Sequence, residues 1–227
     1  MIHSPGRIQL QANLLTMERE TSAIFCDYSV SSKNSENLGI IPSAVYAAST
    51  KISLINPQRT PHPGVMFRKT AVLDSNGYLN SDFPTEDYAL WIRMSRFSNL
   101  MSVPELLLNY RISPLGISIS SKKSMVAKTL KLRSALISEL NLHDYLMQAE
   151  IILEEYDKLS LSSERKLLFV RDLLTLASHT SVPKNLARKD ILRIAHKYLS
   201  VNQILTAAGK ISFYKGKRKF IKKISTI

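Results

Sequence analysis

Hydrophobic and polar positions follow two different rhythms along the chain, and the rhythm changes near residue 120. Before that point, short apolar runs of strand-like length alternate with stretches of helical period. The predicted strands are 24–30, 65–67 and 104–112, and the predicted helices are 7–15, 69–75 and 86–96. The first half of the chain is therefore predicted to be a mixed α/β domain.

Local signals at the helix ends refine this picture. Ser4 and Pro5 predict the start of the first helix, with a hydroxyl cap followed by proline at the first helical position. Asn76-Gly77 is typical of a helix C-terminus, and Thr85 is expected to cap the helix over 86–96. Residues 31–61 are rich in Ser, Asn and Pro and predict a long surface loop, with one short helix near 42–50.

After residue 121 the helical period continues with almost no glycine. Three helices are predicted, at 122–157 with a break near 141–143, at 161–180 and at 184–207. Ser162 and Pro183 are natural start signals for the second and third. The predicted organisation is an α/β domain over 1–120, an all-helical region over 121–208 and a tail over 209–227.

Composition narrows the class of protein. A hydrophobic share of 44% and a mean hydropathy near zero indicate a soluble, globular chain. No apolar run reaches the roughly 18 residues of a transmembrane helix, and the N-terminus lacks the layout of a signal peptide. Cys26 is the single cysteine, which excludes an internal disulfide and a thiolate metal cage. We therefore expect a reduced, cytoplasmic compartment.

The net charge of +13 is large for this length and is unevenly distributed. Seven Lys or Arg and no Asp or Glu fall within the eighteen residues 210–227, interleaved with Phe and Ile. Such a field attracts nucleic acid, anionic lipid or nucleotide diphosphates. The distribution favours a basic tail, either simply solvated or contacting the inner face of a membrane.

Five short motifs occur in a fixed order over about 50 residues. They are HPGVMFR at 62–68, NGY at 76–78, TEDYALWIR at 85–93, VPELL at 103–107 and YR at 110–111. Their order and spacing resemble the second half of family 2 glycosyltransferases, which have a GT-A fold. The resemblance implies an inverting transfer of sugar from a nucleoside diphosphate donor to a hydroxyl acceptor, in the synthesis of cell-surface polysaccharide or glycolipid.

The resemblance also assigns roles to individual residues. Asp87 would be the general base that takes the proton of the acceptor hydroxyl, and Glu86 would orient the acceptor or neighbouring groups. Because Asp87 begins a helix, its carboxylate is expected to stay ionised and to be weakly basic. Trp91, one turn later on the same face, would be the floor of the acceptor site.

Arg93, Arg111 and His62 are the further candidate substrate-binding residues. Each candidate has a plainer interpretation. Acidic residues in a first helical turn favour the helix dipole alone, and a Trp in an amphipathic helix is commonly a core residue. The arginines would then be ion-pair partners, and the histidine a surface residue.

The sequence departs from the family pattern in two places. Ser113 stands where the family often has a metal- or diphosphate-binding His, and serine is a far poorer ligand. The family's Asp-x-Asp motif is absent, although the segment PGRIQLQ at 5–11 resembles the one that follows it. The Mn²⁺ or Mg²⁺ expected for the full family therefore lacks its ligands here, and the sequence predicts an N-terminally truncated domain without the nucleotide-binding half.

Three functions remain open at this point. The first is a glycosyltransferase whose start was clipped, or whose donor-binding half is a separate chain. The second is a catalytically inert fragment or interaction module of that fold, which would leave a sheet edge exposed. The third is a basic nucleic-acid-binding protein, although aromatic residues are few and no helix-turn-helix or zinc pattern is present. We expect a nucleotide-sugar donor and a hydroxyl acceptor as partners, and no nucleic acid.

Overall fold

The computed structural model describes residues 2–43, 45, 50–57, 60–113, 121–158, 162–177, 184–200 and 203. The chain divides into two compact units, Met1–Asn141 and Leu142–Ile227. The first unit is built around a mixed sheet and the second, where described, is helical.

In the described part of the first unit, the sheet has five strands. They are β1 (Ile2–His3), β2 (Thr21–Ser31), β3 (Asn37–Ile41), β4 (Met66–Phe67) and β5 (Asn99–Arg111). The strand order is β1-β5-β2-β3, and β4 also pairs with β2. The two long strands β2 and β5 run parallel, while the other pairings are antiparallel. The predicted mixed α/β class is confirmed at this level.

Helices flank the sheet and continue into the second unit. Those of the first unit are α1 (Arg7–Met17), α2 (Thr50–Ser53), α3 (Lys69–Asp74), α4 (Glu86–Met94) and α5 (Lys122–Glu139), with short 3₁₀ helices at His62–Gly64 and Asn80–Asp82. The second unit contains α6 (Leu142–Lys158), α7 (Ser163–Ala177) and α8 (Lys184–Tyr198). Among the described helices, none is both long and apolar enough to cross a bilayer.

Strand β2 is buried on both faces, because α1 and α4 cover opposite sides of it. Successive side chains of a strand point to opposite faces. Ile24 and Cys26 pack with Leu15 of α1, whereas Phe25 makes an edge-to-face contact with Trp91 of α4 at 5.3 Å between ring centroids. Burial raises the pKa of the Cys26 thiol to about 11, so this cysteine is an inert core group.

A buried polar pair attaches α1 to the sheet. Arg7 Nη1 donates to Gln11 Oε1 at 2.9 Å, and Gln11 Nε2 donates to the carbonyls of Ile24 and Gly64, both at 2.8 Å. A Cβ at Gly64 would lie 3.1 Å from the sulfur of Cys26, so a larger residue would press into the core. The turn that carries His62 is therefore held tightly against β2.

Several predicted helix signals are corrected by the structure. Gly6, with a φ of 80°, occupies the N-cap of α1, and Ser4 Oγ instead donates to the carbonyl of Leu106 at 3.3 Å. Thr85 precedes α4 without a side-chain cap, because its hydroxyl donates to the carbonyl of Asp82 at 3.0 Å. The predicted stop is confirmed at Gly77, which has a φ of 57° and donates its N–H to Val72 O at 2.8 Å.

The predicted loop over 31–61 contains more regular structure than its composition indicates. Strand β3 pairs with the end of β2, opposite Tyr28 to Ser31, and was not predicted. The short helix predicted near 42–50 is found later, as α2, and residues 44 and 46–49 lie outside the described part of the chain. Asp27 Oδ1 accepts from the Ser43 N–H at 2.9 Å, which ties the returning chain to β2.

The boundary between units differs from the one predicted near residue 120. Helix α5 belongs to the first unit because Lys128 Nζ donates to the carbonyls of Ser81 and Phe83, at 2.6 and 2.5 Å. Arg96 also pairs with Glu139 at 2.5 Å. The predicted break near 141–143 is confirmed, and it coincides with the boundary between the units.

In the second unit α6, α7 and α8 pack against one another through apolar faces. Tyr156 and Phe169 are buried in edge-to-face contact at 5.8 Å. Lys197 of α8 pairs with Glu150 of α6 at 2.8 Å, and Lys166 of α7 pairs with Asp157 of α6. The basic tail predicted over 209–227 lies outside the described residues.

Candidate functional site

The first turn of α4 presents the two carboxylates singled out in the sequence. Glu86 and Asp87 begin the helix, and both side chains are partly buried. Asp87 Oδ1 accepts a hydrogen bond from the Tyr88 backbone N–H at 2.7 Å. Unpaired N–H groups at a helix start favour a carboxylate there. The local sequence therefore fixes where the Asp87 carboxyl lies.

The protonation of Asp87 differs from the expectation drawn from its place in the helix. Burial raises the pKa of Asp87 above its ordinary value, and the neighbouring Glu86 charge adds to the rise. The hydrogen bond from the Tyr88 N–H and the nearby His62 imidazole act in the opposite direction and are outweighed. The prediction of a weakly basic carboxylate was wrong, because desolvation exceeds the stabilisation that the helix start provides.

His62 and Tyr78 lie beside this carboxyl pair. His62 Nε2 and Tyr78 Oη are 2.8 Å apart, and the two ring centroids are separated by 5.7 Å. Burial raises the pKa of the Tyr78 hydroxyl, and the charges of Asp87 and Glu86 raise it further. Tyr78 is 44% exposed, so its ring borders the site while remaining open to solvent. The NGY motif contained this residue, but its sequence gave no functional signal beyond a turn.

Trp91 lies beneath the site and does not line it. Its exposed fraction is 0%, and its ring contacts Phe25, Phe67 and His62 at centroid distances of 5.3, 6.0 and 6.0 Å. The prediction that Trp91 is the floor of an acceptor site is contradicted, because a side chain without exposed surface cannot contact a ligand. The alternative, a core tryptophan, is the one that the structure supports.

Glu86 brings an unsatisfied acceptor to the same place. Its Oε2 atom is buried and has no hydrogen-bond partner. A buried carboxylate oxygen without a donor is unfavourable, so a hydroxyl group from a ligand would improve its environment. The arrangement at the start of α4 thus combines one carboxyl of raised pKa with a second that can accept a hydrogen bond.

Arg93 has a structural role at the back of the site. It pairs with Asp82 at 2.6 Å and donates to the carbonyls of Ser75 and Gly77 at 2.9 and 2.7 Å. All three guanidinium nitrogens are thereby used within the protein. The predicted role of Arg93 in binding substrate is replaced by the alternative of an ion-pair partner, which holds the turn that carries Tyr78.

Replacement of Arg93 by lysine is expected to lower the free energy of unfolding by about 1–3 kcal/mol, because an ammonium group cannot reproduce the forked hydrogen bonds to partly buried partners. The measurement is urea unfolding followed by circular dichroism. Arg96→Lys is the matched control, since the Arg96–Glu139 pair is exposed and such pairs contribute about 0–1 kcal/mol. Equal effects of the two substitutions would contradict this role for Arg93.

Arg111 and Ser113 lie at and just after the end of β5. Arg111 is exposed there, opposite Ser31 of β2. Its role in binding substrate stays a prediction from the sequence. Ser113 is exposed just after this strand.

The described residues were also compared with the ligand sets of metal sites formed by protein side chains alone. Within this part of the chain, no three His, Cys, Asp or Glu side chains are grouped closely enough to hold one. The Mn²⁺ or Mg²⁺ implied by the family resemblance therefore has no cluster of three protein ligands among the described residues.

No protein-family model matches the chain, and no curated protein is significantly similar to it. The functional conclusion consequently depends on the site and on the motifs themselves.

Proposed function

We propose that this chain is the acceptor-binding half of an inverting glycosyltransferase related to family 2, with a partial GT-A fold. The observation that carries the proposal is the position of Asp87, a partly buried carboxyl of raised pKa that begins α4 beside His62 and Tyr78. The order of the five motifs supports the same conclusion. The reaction class is transfer of a sugar from a nucleoside diphosphate to a hydroxyl group.

Asp87 is the base in this proposal. The acceptor hydroxyl gives its proton to the Asp87 carboxylate while its oxygen forms a bond to the anomeric carbon of the donor sugar. The bond between that carbon and the diphosphate oxygen breaks, and the electron pair leaves with the nucleoside diphosphate. A base is most effective when its pKa lies near the working pH, so the rise caused by burial favours this role.

Glu86 is a positioning group for the acceptor. Its buried, unpaired Oε2 would accept a hydrogen bond from a second hydroxyl of the acceptor. Sugars carry hydroxyl groups on adjacent carbons, so two neighbouring carboxyls suit such a ligand. Binding and orientation of this kind account for a large share of catalysis in bimolecular reactions.

The proposal assigns only the acceptor side to this chain. The sequence contains no Asp-x-Asp motif, and the described residues include no metal-binding group. We assign binding of the donor and of any metal to a separate donor-binding half. The interaction-module hypothesis also places no donor site in this chain, but it predicts that the chain binds no sugar.

Glycan binding without donor tests the proposal. We expect the purified chain to bind a subset of glycans on an array, and Glu86→Gln to weaken that binding at least tenfold. Asp74→Asn, at the exposed end of α3, is the matched control and should leave it unchanged. Absence of binding to every glycan would overturn the acceptor-binding function and favour the interaction module.

Calorimetry tests whether this chain binds a nucleotide-sugar donor without a separate donor-binding half. UDP- and GDP-sugars with Mn²⁺ are expected to give no heat of binding to the chain alone. Measurable heat would show that a donor site is present and would contradict the assignment of the acceptor side only.

A further inference from the structure

The connection between α3 and α4 exposes large apolar side chains. Tyr78, Leu79 and Phe83 are 44, 39 and 49% exposed, and all three lie close together in the chain. Single apolar residues are normal on a protein surface, whereas a group of them indicates an interaction site. We call residues 78–83 the aromatic turn. The function proposed above assigns no role to its three apolar side chains.

The backbone of the aromatic turn is held by two helices. On one side Arg93 of α4 pairs with Asp82 at 2.6 Å. On the other side Lys128 of α5 donates to the carbonyls of Ser81 and Phe83, at 2.6 and 2.5 Å. Surface connections are commonly mobile, but this one presents its side chains from a backbone that is fixed on both sides.

The ring of Tyr78 is also anchored. Its hydroxyl and His62 Nε2 lie 2.8 Å apart, and the two rings meet edge to face at 5.7 Å between centroids. His62 in turn packs on the buried Trp91, at 6.0 Å between centroids. The Tyr78 ring is therefore held in place while it stays open to solvent. Rigid aromatic side chains bind ligands at a low cost in conformational entropy.

The aromatic turn leads directly into the carboxyl pair. Phe83 precedes Glu86 by three residues, so their Cα atoms are at most about 11 Å apart. Between them, the N–H and the hydroxyl of Thr85 both donate to the carbonyl of Asp82, at 2.8 and 3.0 Å. Glu86 Oε2 is buried and has no hydrogen-bond partner. An exposed aromatic surface and an unsatisfied acceptor thus belong to one continuous, well-held stretch of chain.

We propose that the aromatic turn is the surface on which a sugar ring of the acceptor stacks, with Tyr78 and Phe83 as its specificity-determining residues. A sugar ring has hydroxyl groups around its edge and an apolar face of C–H groups. Carboxylates accept hydrogen bonds from the hydroxyls, and aromatic rings pack on the C–H face. Both kinds of group occur here, whereas a purely apolar partner would leave the Glu86 carboxylate unpaired.

This role of the aromatic turn rests on the proposed function, and it narrows the class of acceptor. A pyranose ring whose hydroxyl groups are equatorial presents the widest C–H face, so glycans that expose such a ring are the expected acceptors. Tyr78 and Phe83 thereby take the stacking contact that the sequence assigned to the buried Trp91.

Calorimetry on the full chain tests the stacking contact. The probe is the oligosaccharide that binds the wild-type chain most strongly on an array of pyranose oligosaccharides. We expect Phe83→Ala and Tyr78→Ala each to weaken its binding by about three- to tenfold, since aromatic contacts have modest energies. Phe97→Ala is the matched control, because it removes an exposed aromatic ring after α4 and should change nothing. Circular dichroism checks that each variant is folded.

Two further substitutions at the same position separate stacking from a general apolar contact. Phe83→Trp keeps a flat aromatic face and should bind the oligosaccharide at least as tightly as wild type. Phe83→Leu keeps apolar surface without the ring and should be weakened like Phe83→Ala. Binding by Phe83→Leu as tight as that of wild type overturns the stacking role.

The outcomes distinguish this proposal from the acceptor function itself. If both alanine variants bind like wild type while Glu86→Gln loses binding, the aromatic turn is excluded and the acceptor function stands. If the chain binds no oligosaccharide, both are overturned. Sedimentation with phosphatidylcholine vesicles that is lost in Phe83→Ala would identify an apolar membrane contact and overturn the sugar-stacking surface.

Discussion

Replacement of Asp87 by asparagine is expected to lower the rate of sugar transfer by about 100- to 10,000-fold, because asparagine cannot take the proton of the acceptor hydroxyl. Asparagine has nearly the same shape and can still occupy the first turn of α4. The loss should therefore appear in kcat much more than in acceptor binding. Transfer is measured as nucleoside diphosphate release in extracts of cells that lack this chain, supplemented with purified wild-type or variant protein.

The same substitution is expected to stabilise the protein at neutral pH. Burial raises the pKa of Asp87 in the folded chain above its ordinary value of 3.8, so the folded state binds this proton more tightly than the unfolded state. The contribution of Asp87 to the free energy of unfolding is therefore most favourable at low pH. It declines as the pH rises from the ordinary pKa of 3.8 through the higher pKa of the folded state. Asparagine carries no charge to desolvate, so it avoids the decline.

Urea unfolding at several pH values tests this linkage. The variant should be more stable than wild type at pH about 7.5, and the difference should shrink as the pH falls and disappear below about pH 3, where the carboxyl is protonated in both states. Asp74→Asn is again the control, and a surface change of this kind is expected to stay within about 0.5 kcal/mol. If Asp87→Asn loses sugar transfer but gains no stability at high pH, Asp87 is a base of ordinary basicity. If the variant gains stability at high pH but keeps sugar transfer, Asp87 is excluded as the base.

Elements with strong local signals were predictable from sequence. The Asn76-Gly77 stop follows from glycine's tolerance of positive φ, and the amphipathic pattern of α4 placed Glu86 and Asp87 in its first turn. These signals depend on residues within one or two turns of each other. Because local propensity and tertiary packing agree there, the predicted and observed elements coincide.

Features set by contacts between distant residues were not predictable. Strand β3 (Asn37–Ile41) forms because β2 offers it an edge, although it lies in a stretch rich in Ser, Asn and Pro that is typical of a loop. Helix α5 was assigned to the helical region by its period, but Lys128 and its carbonyl partners attach it to the first unit. Neither contact produces a signal that a short window of sequence could show.

The candidate site likewise has features that local sequence predicts and features that depend on contacts between distant residues. The carboxyl pair was found because a first helical turn is a local feature, whereas the sign of the Asp87 pKa shift depends on burial, which several elements create together. Tyr78 was not singled out because its hydrogen bond joins it to His62, sixteen residues earlier in the chain. Trp91 is a core residue, and Arg93 binds other groups of the protein. Their positions in the helix alone could not distinguish these structural roles from ligand binding.

Truncation of Trp91 to alanine is expected to lower the free energy of unfolding by about 3–5 kcal/mol, since removal of a buried aromatic ring loses its burial energy and leaves a cavity. That amount is a large fraction of the 5–15 kcal/mol typical of whole proteins, so a substantial unfolded population is expected. Circular dichroism during urea unfolding measures the loss. Phe97→Ala, an aromatic truncation at a site that is 77% exposed, is the matched control and should change stability by no more than about 0.5 kcal/mol.

Trp91→Phe then separates a core residue from a ligand-binding surface. A phenyl ring keeps most of the contacts with Phe25 and Phe67 and should cause a smaller loss of stability than alanine. Since Trp91 has no exposed surface, glycan binding by the folded Trp91→Phe variant should stay within about threefold of wild type, or ~0.65 kcal/mol. A loss of more than tenfold in a variant that remains folded would restore Trp91 as an acceptor-binding residue. It would also mean that His62 moves off the indole when the acceptor binds, because in the present arrangement the imidazole lies against it.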